Sequence, residues 1–175
     1  MAAGERARVF FALWPEDAVR AALSAAAVRA QAECAGRATA AARIHLTLFF
    51  VGGVARSDLT TLAECAASVA GRPFELATDV LGYWRHNRIV WAGARETPSA
   101  LTSLVADLTA ALAAAGYRGE DRPYAPHVTL VRNARRPPRT ADVAAPRWSA
   151  RDFVLAESAG GRYDVLARWP LRPPV

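Results

Sequence analysis

The sequence predicts an α+β fold, and three observations carry that reading. Ala-rich segments of helical length are mixed with short apolar strands in no strict alternation. Two strands, "ARDFVLAES" and "GRYDVLARWPL", close a long hairpin around Gly160-Gly161. A strand-forming spelling, His-x-Thr-Leu, occurs twice, at 45–48 and at 127–130, 82 residues apart. The hairpin and the irregular order argue against a parallel sheet.

The elements follow in order. "ARVFFAL" (7–13) has the apolar content of a buried strand. Trp14-Pro15 then opens a helix through residue 33, with Pro15 near its first turn. "ARIHLTLFFVG" (42–52) alternates Ile44, Leu46 and Leu48 with His45, Thr47 and Phe49, the period of a half-buried strand ending at Gly52-Gly53. A helix over 57–70 has Ser57 as N-cap and Gly71 beyond its end. "PFELATDVLGYW" (73–84) and "RIVWAGA" (88–94) read as two strands joined by Arg85-His86-Asn87. A third helix runs from Pro98 to Gly116. "APHVTLVR" (125–132) is the second motif strand, and the Pro- and Arg-rich 133–147 reads as an exposed loop.

The 175 residues suffice for one compact domain, taken here as 1–175 with two lobes, and 53% hydrophobic content supplies a core. No apolar run is long enough to span a bilayer, and the N-terminus has no signal-peptide layout, so a cytoplasmic protein without membrane association is expected. Cys34 and Cys65 lie in Ala-rich segments without partners at metal spacing and read as reduced thiols. The formal charge is +6, and all 22 basic residues are Arg. Codon bias accounts for part of that preference. The guanidinium fork nevertheless matches phosphate oxygens, and a positive surface attracts anions such as RNA ends.

The repeated motif carries the chemistry. Residues two apart in a strand share a face, so His45 lies with Thr47 and His127 with Thr129. Two such strands lining one cleft present two imidazoles and two hydroxyls to one point. A neutral imidazole accepts a proton from water, a charged one protonates a leaving oxygen, and the hydroxyls donate to phosphate oxygens. One His-x-Thr alone would signify little, because Thr is a good strand former. Two copies with matching Leu flanks are a pattern. A metal centre fits poorly, since neither motif has a carboxylate cluster or Cys beside it, and no Gly-x-Ser-x-Gly elbow supports a serine triad.

On these residues the chain resembles the 2H phosphoesterase superfamily, and within it the bacterial and archaeal RNA 2',3'-cyclic phosphodiesterases (LigT-like, also called 2'-5' RNA ligases). The likeness runs nearly end to end, through "RVFFALWP", "HLTLFFVG", "RIVWAG", "RPYAPHVTLVR" and "GRYDVLARWPL". The resemblance implies a bilobal, duplicated fold with pseudo-two-fold symmetry, in which two antiparallel sheets face a central cleft and helices pack outside. It implies hydrolysis of 2',3'-cyclic phosphate on RNA ends or nucleotides to a 2'-phosphate, with no cofactor and no metal, by a monomer. It carries over His45 and His127 as the catalytic pair, Thr47 and Thr129 as phosphate ligands, and Arg132 as a further phosphate contact. Phe50 stands where a second Arg would make the halves equivalent, which suits unequal roles: His127 as base toward water, His45 as acid toward the 3' oxygen. The same pair would serve a 2'-5' RNA phosphodiesterase or ligase. A non-catalytic RNA-end binding module is the alternative of another class, although binding alone does not need two titrating imidazoles.

Other residues have structural readings first. His86 belongs at a hairpin tip, and Arg135, Arg136 and Arg139 in a solvated loop, with RNA contact as the alternative. Tyr124, Trp84, Phe10 and Phe11 pack by default, with base stacking as the alternative.

Overall fold

The computed structural model describes residues 5–144 and 147–172. Ten strands and three α-helices make up those residues: β1 (Arg6–Leu13), α1 (Asp17–Cys34), β2 (Arg37–Ala38), β3 (Leu46–Ala55), α2 (Asp58–Ala67), β4 (Phe74–Leu76), β5 (Val80–Trp84), β6 (Ile89–Gly93), α3 (Ser99–Ala114), β7 (Val128–Arg132), β8 (Trp148–Ala150), β9 (Asp152–Ala159) and β10 (Arg162–Pro170). A single 3₁₀ turn, Ala41–Arg43, lies just before β3.

Every strand pairing among the described residues is antiparallel. The strands fall into two half-sheets. One has the order β10-β9-β1-β3, and the other β7-β6-β5, with β2 also on β7. They join through one residue pair, Leu46 with Val128, at the first residues of the two motif strands. From that point β3 and β7 run apart in opposite directions. A separate two-stranded sheet, β4 with β8, completes the set.

One face of each half-sheet is buried under helices. Along β1 the residues Ala7, Val9, Phe11 and Leu13 enter the main core, together with Leu46, Leu48, Val128 and Leu130. α3 adds Leu101, Leu104, Val105, Leu108 and Leu112, the stripe of a 3.6-residue period. It ends where Tyr117 N–H bonds back to Leu112 O at 2.9 Å, with Gly116 at φ +91°. In α1 most buried positions are small (Ala26, Ala27, Ala30, Cys34), which lets the helix lie close against the sheet. α1 follows β1 in sequence but packs against β7 and β2 of the other half. α2 and α3 cover β3. Among the described residues the opposite face of the sheets carries no helix, and it holds a small cluster of its own, Phe10, Ala12, Val154 and Ala156 with Trp14 and Tyr163.

Several local expectations change. The 73–84 segment is two strands in different sheets, and Thr78 between them is 1% exposed. Ser57 occupies the N-cap position of α2, but its backbone is already helical and its hydroxyl makes no capping bond. The segment 133–144 is the irregular, largely exposed loop expected, but it is pinned at points: Ala134 and Val143 are buried, and Leu81 N–H bonds to Ala141 O at 2.7 Å. Arg135 N–H and the Arg136 side chain bond to the backbone carbonyls at the end of α1, and Arg139 N–H bonds to the Glu33 carboxylate. Two backbone N–H groups and the Arg136 guanidinium thus fasten the segment to a helix. Residues 145–146 of the expected loop lie outside the described residues.

Gly36 shows how tightly the second motif strand is held. At φ +91° it lies against β7, and an added Cβ would come within 2.6 Å of Arg132 O and 2.9 Å of Ala134 N. Both are backbone atoms of packed segments, so neither can yield. Gly36→Ala should lower stability by about 2–4 kcal/mol. Denaturant unfolding measures this, and an unchanged midpoint would show that the close approach is not enforced.

Candidate active site

The joint between β3 and β7 places the motif side chains. Leu46 and Val128 pair directly and point into the core at 1% and 0% exposure. Their sequence neighbours therefore point to the opposite, helix-free face. His45, Thr47, His127 and Thr129 all fall on that face. If the antiparallel register is continued one residue each way, His45 faces Thr129 and Thr47 faces His127. Directly opposed Cβ atoms in such a ladder lie about 5 Å apart and diagonal ones roughly 7–8 Å. On that register the four side chains would form the corners of a phosphate-sized patch, with one imidazole and one hydroxyl from each strand. Both histidines stand immediately before the strands that the sequence predicted would contain them.

A bulge in each motif strand extends the patch. Opposite β1, Thr47 pairs with Ala12 and Phe49 with Phe11, leaving Leu48 extra. Opposite β6, Thr129 pairs with Trp91 and Val131 with Val90, leaving Leu130 extra. Each bulge sends two successive residues into the core, Leu48-Phe49 in one strand and Leu130-Val131 in the other. Phe49 therefore does not share the face of His45, as strict alternation predicts. The next residue returns to the cleft: Phe50 in β3, Arg132 in β7. Arg37 of β2 pairs with Arg132 and adds a second guanidinium to that edge.

Each histidine is held by the backbone. His45 Nδ1–H donates to Arg43 O at 2.8 Å, and His127 Nδ1–H donates to Ala125 O at 2.8 Å. In both cases the acceptor lies two residues back. This geometry leaves the Nε2 lone pair of each neutral ring for the cleft. His45 Nε2 lies 3.0 Å from Thr47 Oγ1 and accepts its hydroxyl proton. The surroundings of the rings are aromatic. His45 stacks on Trp14 at 5.7 Å and touches Phe10 at 4.9 Å and Tyr163 at 5.2 Å. His127 meets Trp84 edge-on at 4.5 Å, and Trp84 leans on Trp91 at 5.4 Å. Trp91 lies flat across Gly82, where a Cβ would fall 2.0 Å from the indole.

Burial among these rings lowers both imidazole pKa values. His45 falls to about 4, chiefly through desolvation, with the charges of His127, Arg132 and Arg43 adding to it. The bond to Arg43 O opposes the shift. His127 is lowered by burial first and then by Arg122 and Arg132, against the Ala125 carbonyl and Glu120. Arg132 thus acts on both rings, and the two rings act on each other. Both imidazoles are neutral at pH 7 in the free protein.

The other residues singled out in the sequence divide: Phe10, Trp84 and Tyr124 touch the site, whereas Phe11 lies in the core and Arg135, Arg136 and Arg139 lie at the end of α1. Phe11 is fully buried on the core face and cannot stack a base. Phe10 is 3% exposed and forms the floor beneath His45. His86 is exposed in the β5–β6 turn, 6.4 Å from Trp84. Tyr124 donates its hydroxyl to Thr47 O at 3.0 Å, tying the loop before the second motif to the first motif strand. Burial raises the Tyr124 pKa, so it stays a phenol. Sequence reasoning missed Trp14, Tyr163 and Arg43. Arg43 bonds to Gly161 O at 3.2 Å and lies over the Tyr163 ring, a contact across 118 residues. Nothing local announces it.

A helix-free cleft with two His-x-Thr corners defines a two-histidine phosphoesterase class. Residues 15–158 match the 2'-5' RNA ligase superfamily, and the chain belongs to that family. It is 34% identical over 145 residues to the RNA 2',3'-cyclic phosphodiesterase of Escherichia coli K12, covering 78% of this chain and 81% of that protein. It is 27% identical over 161 residues to the enzyme of the same name from Archaeoglobus fulgidus, covering 86% and 90%. Among solved structures, E. coli LigT in apo form superposes with a TM-score of 0.85 at 31% identity, over 96% of this chain and 99% of that one. LigT complexed with 3'-AMP gives 0.87 at 31% identity, over 95% and 99%.

The depressed His45 pKa has a consequence for folding. The unfolded chain binds this proton near pH 6.5 and the folded chain near 4. Between those values the unfolded state holds more protons, so stability is complete above pH 6.5 and falls as the pH drops toward 4, by on the order of 3 kcal/mol. His45→Gln, which cannot titrate, should flatten the pH dependence of unfolding between 6.5 and 5. An unchanged slope would mean that the ring is not desolvated as described.

Proposed function

We propose that the protein hydrolyses the 2',3'-cyclic phosphate of RNA ends or nucleotides to a 2'-phosphate, with His45 and His127 as a metal-independent acid–base pair. The observation that carries this reading is the matched anchoring of the two rings on one cleft face, each fixed through Nδ1 to its own backbone. The catalytic relatives named above support it.

In the reaction, His127 Nε2 removes a proton from water as the water oxygen bonds to phosphorus. His127 suits this role because its Nε2 has no hydrogen-bond partner among the described residues. The P–O3' bond breaks on the opposite side, and His45 Nε2–H protonates O3'. Thr47, Thr129 and Arg132 hold the non-bridging oxygens. Protonation of His45 also reverses its bond with Thr47: the ring no longer accepts the hydroxyl proton, which turns toward a phosphate oxygen. With a pKa of about 4 in the free protein, His45 is uncharged before substrate arrives. The phosphodiester anion raises the pKa of both rings, so binding takes up the proton that the acid later delivers.

The tests follow from these roles. His45→Ala and His127→Ala should each lower kcat for a 2',3'-cyclic nucleotide by about 10²–10⁴-fold. The double variant should be little worse than the worse single one, because the pair acts as a unit. Near-normal turnover in either single variant would remove the mechanism.

The pH profile is equally specific. The profile of kcat/KM follows the free protein, falling on the acid side as the base is protonated and on the alkaline side as the acid is deprotonated. Since both pKa values are lowered, its maximum should lie below pH 6.5, and the maximum of kcat, which follows the complex, should lie higher. Coincident maxima would contradict proton uptake on binding. A chelator should leave both profiles unchanged: among the described residues no three His, Cys, Asp or Glu side chains cluster as ligands. A rate abolished by chelation and restored by a divalent ion would contradict this.

A further inference from the structure

We infer that Trp14 is a positioning residue for His45: its indole fixes the plane of the imidazole, closes it off from a neighbouring cavity, and offers it an aromatic face once it is charged. The inference deepens the proposed function and rests on its assignment of His45 as the acid.

The placement of Trp14 follows from the end of β1. Phe10 and Ala12 lie in the cluster on the cleft face, and Trp14, just beyond the strand, packs against that cluster. Pro15 follows it, is buried, and restricts the Trp14 backbone to extended conformations. Arg20, in the first turn of α1, donates to Pro15 O at 2.9 Å. The Trp14 ring also meets Tyr163 of β10 edge to face, at 6.5 Å and 71°. The indole is thus held from the strand, from the helix start and from the far hairpin.

Three aromatic rings surround His45, and their angles differ. Phe10 is tilted by 38° and Tyr163 stands at 86°, whereas Trp14 lies within 16° of parallel at 5.7 Å. The bond from Nδ1 to Arg43 O holds one atom of the imidazole, and the flat contact with Trp14 holds its plane. Together they keep Nε2 turned to the cleft. An indole face within about 6 Å also attracts a cation. His45 is neutral in the free protein, so this attraction begins only when substrate binding brings the proton.

The indole is also a partition. Trp14 lines a cavity of about 310 Å³ whose walls include Glu16, Arg20, Arg151, Asp152 and Arg168 but not His45. Polar walls and that volume suit several waters. Removing the indole joins this cavity to the space around His45 and undoes the desolvation that is the first cause of its low pKa. The other groups facing the ring stay in place. They are Arg43 before β3, His127 and Arg132 of the second motif, and the Tyr163 phenol of β10; β1 and the turn after it present Phe10 and Trp14. A change in His45 titration on replacing Trp14 therefore reports the indole.

The experiment reads the His45 titration by NMR in histidine-labelled protein, assigned with His45→Gln, beside the pH profiles of 2',3'-cAMP hydrolysis. In the wild type the ring should titrate near 4, with the maximum of kcat above that of kcat/KM. Trp14→Ala should move the titration from about 4 toward 6.5 and bring the two maxima together. Trp14→Leu keeps an apolar wall and loses the aromatic face. Its titration should stay near 4, while the alkaline limb of its kcat profile moves down by about one pH unit. Trp14→Phe should stay near the wild type in both. A role in folding alone would lower the unfolding midpoint and move neither readout. If Trp14→Ala does not fold, the Leu and Phe variants carry the test, since both fill the site. An unchanged titration in Trp14→Ala, or a Leu variant with the kcat profile of the Phe variant, would overturn the inference. A wild-type ring that titrates near 4 in a protein that does not hydrolyse 2',3'-cAMP would overturn the proposed function instead.

Discussion

One backbone pairing, Leu46 with Val128, joins the two half-sheets, and the site depends on it. Both residues are core residues of the strands that begin there. Because side chains alternate along a strand, fixing these two inward turns the four flanking His and Thr side chains outward together. A one-residue slip at this point would bury the imidazoles and expose the leucine and valine. The core thereby enforces the register of the cleft. The crossed packing of α1 onto β7, and the bond from Tyr124 to Thr47 O, tie the same joint from both sides.

The electrostatic state of the cleft follows from that framework. Trp14, Phe10 and Tyr163 around one ring, and Trp84 beside the other, remove water from both imidazoles. The backbone carbonyls fix the tautomers but do not restore the charge. Arg132 adds positive potential to both. The free cleft is thus short of negative charge and holds neutral rings, a condition that a phosphodiester anion relieves. In this account, selectivity for an anion and activation of the acid have the same origin.

Much of this was legible in the sequence because it is local. The two His-x-Thr-Leu spellings, the hairpin at Gly160-Gly161 and the stripe of α3 each depend on neighbours in the chain. The bulges were half legible: Leu48-Phe49 and Leu130-Val131 are apolar doublets that break strict alternation, yet the sequence reading placed Phe49 beside His45. What was not legible is the set of contacts between distant segments. The joint at Leu46–Val128, the aromatic cage around His45 and the reach of Arg43 to Gly161 arise only when separate elements are packed. The Pro- and Arg-rich stretch had the composition of a solvated loop, and only tertiary contacts with α1 and β5 show why its arginines are held.

The central claim is an in-line opening of a cyclic phosphate by water, between a base on one strand and an acid on the other. Its most direct test is hydrolysis of a 2',3'-cyclic nucleotide in ¹⁸O-labelled water, with the product isomer and label position read by phosphorus NMR. A single 2'-phosphate product carrying one solvent oxygen on phosphorus is expected. A 3'-phosphate, a mixture of isomers, or product without the label would contradict the account.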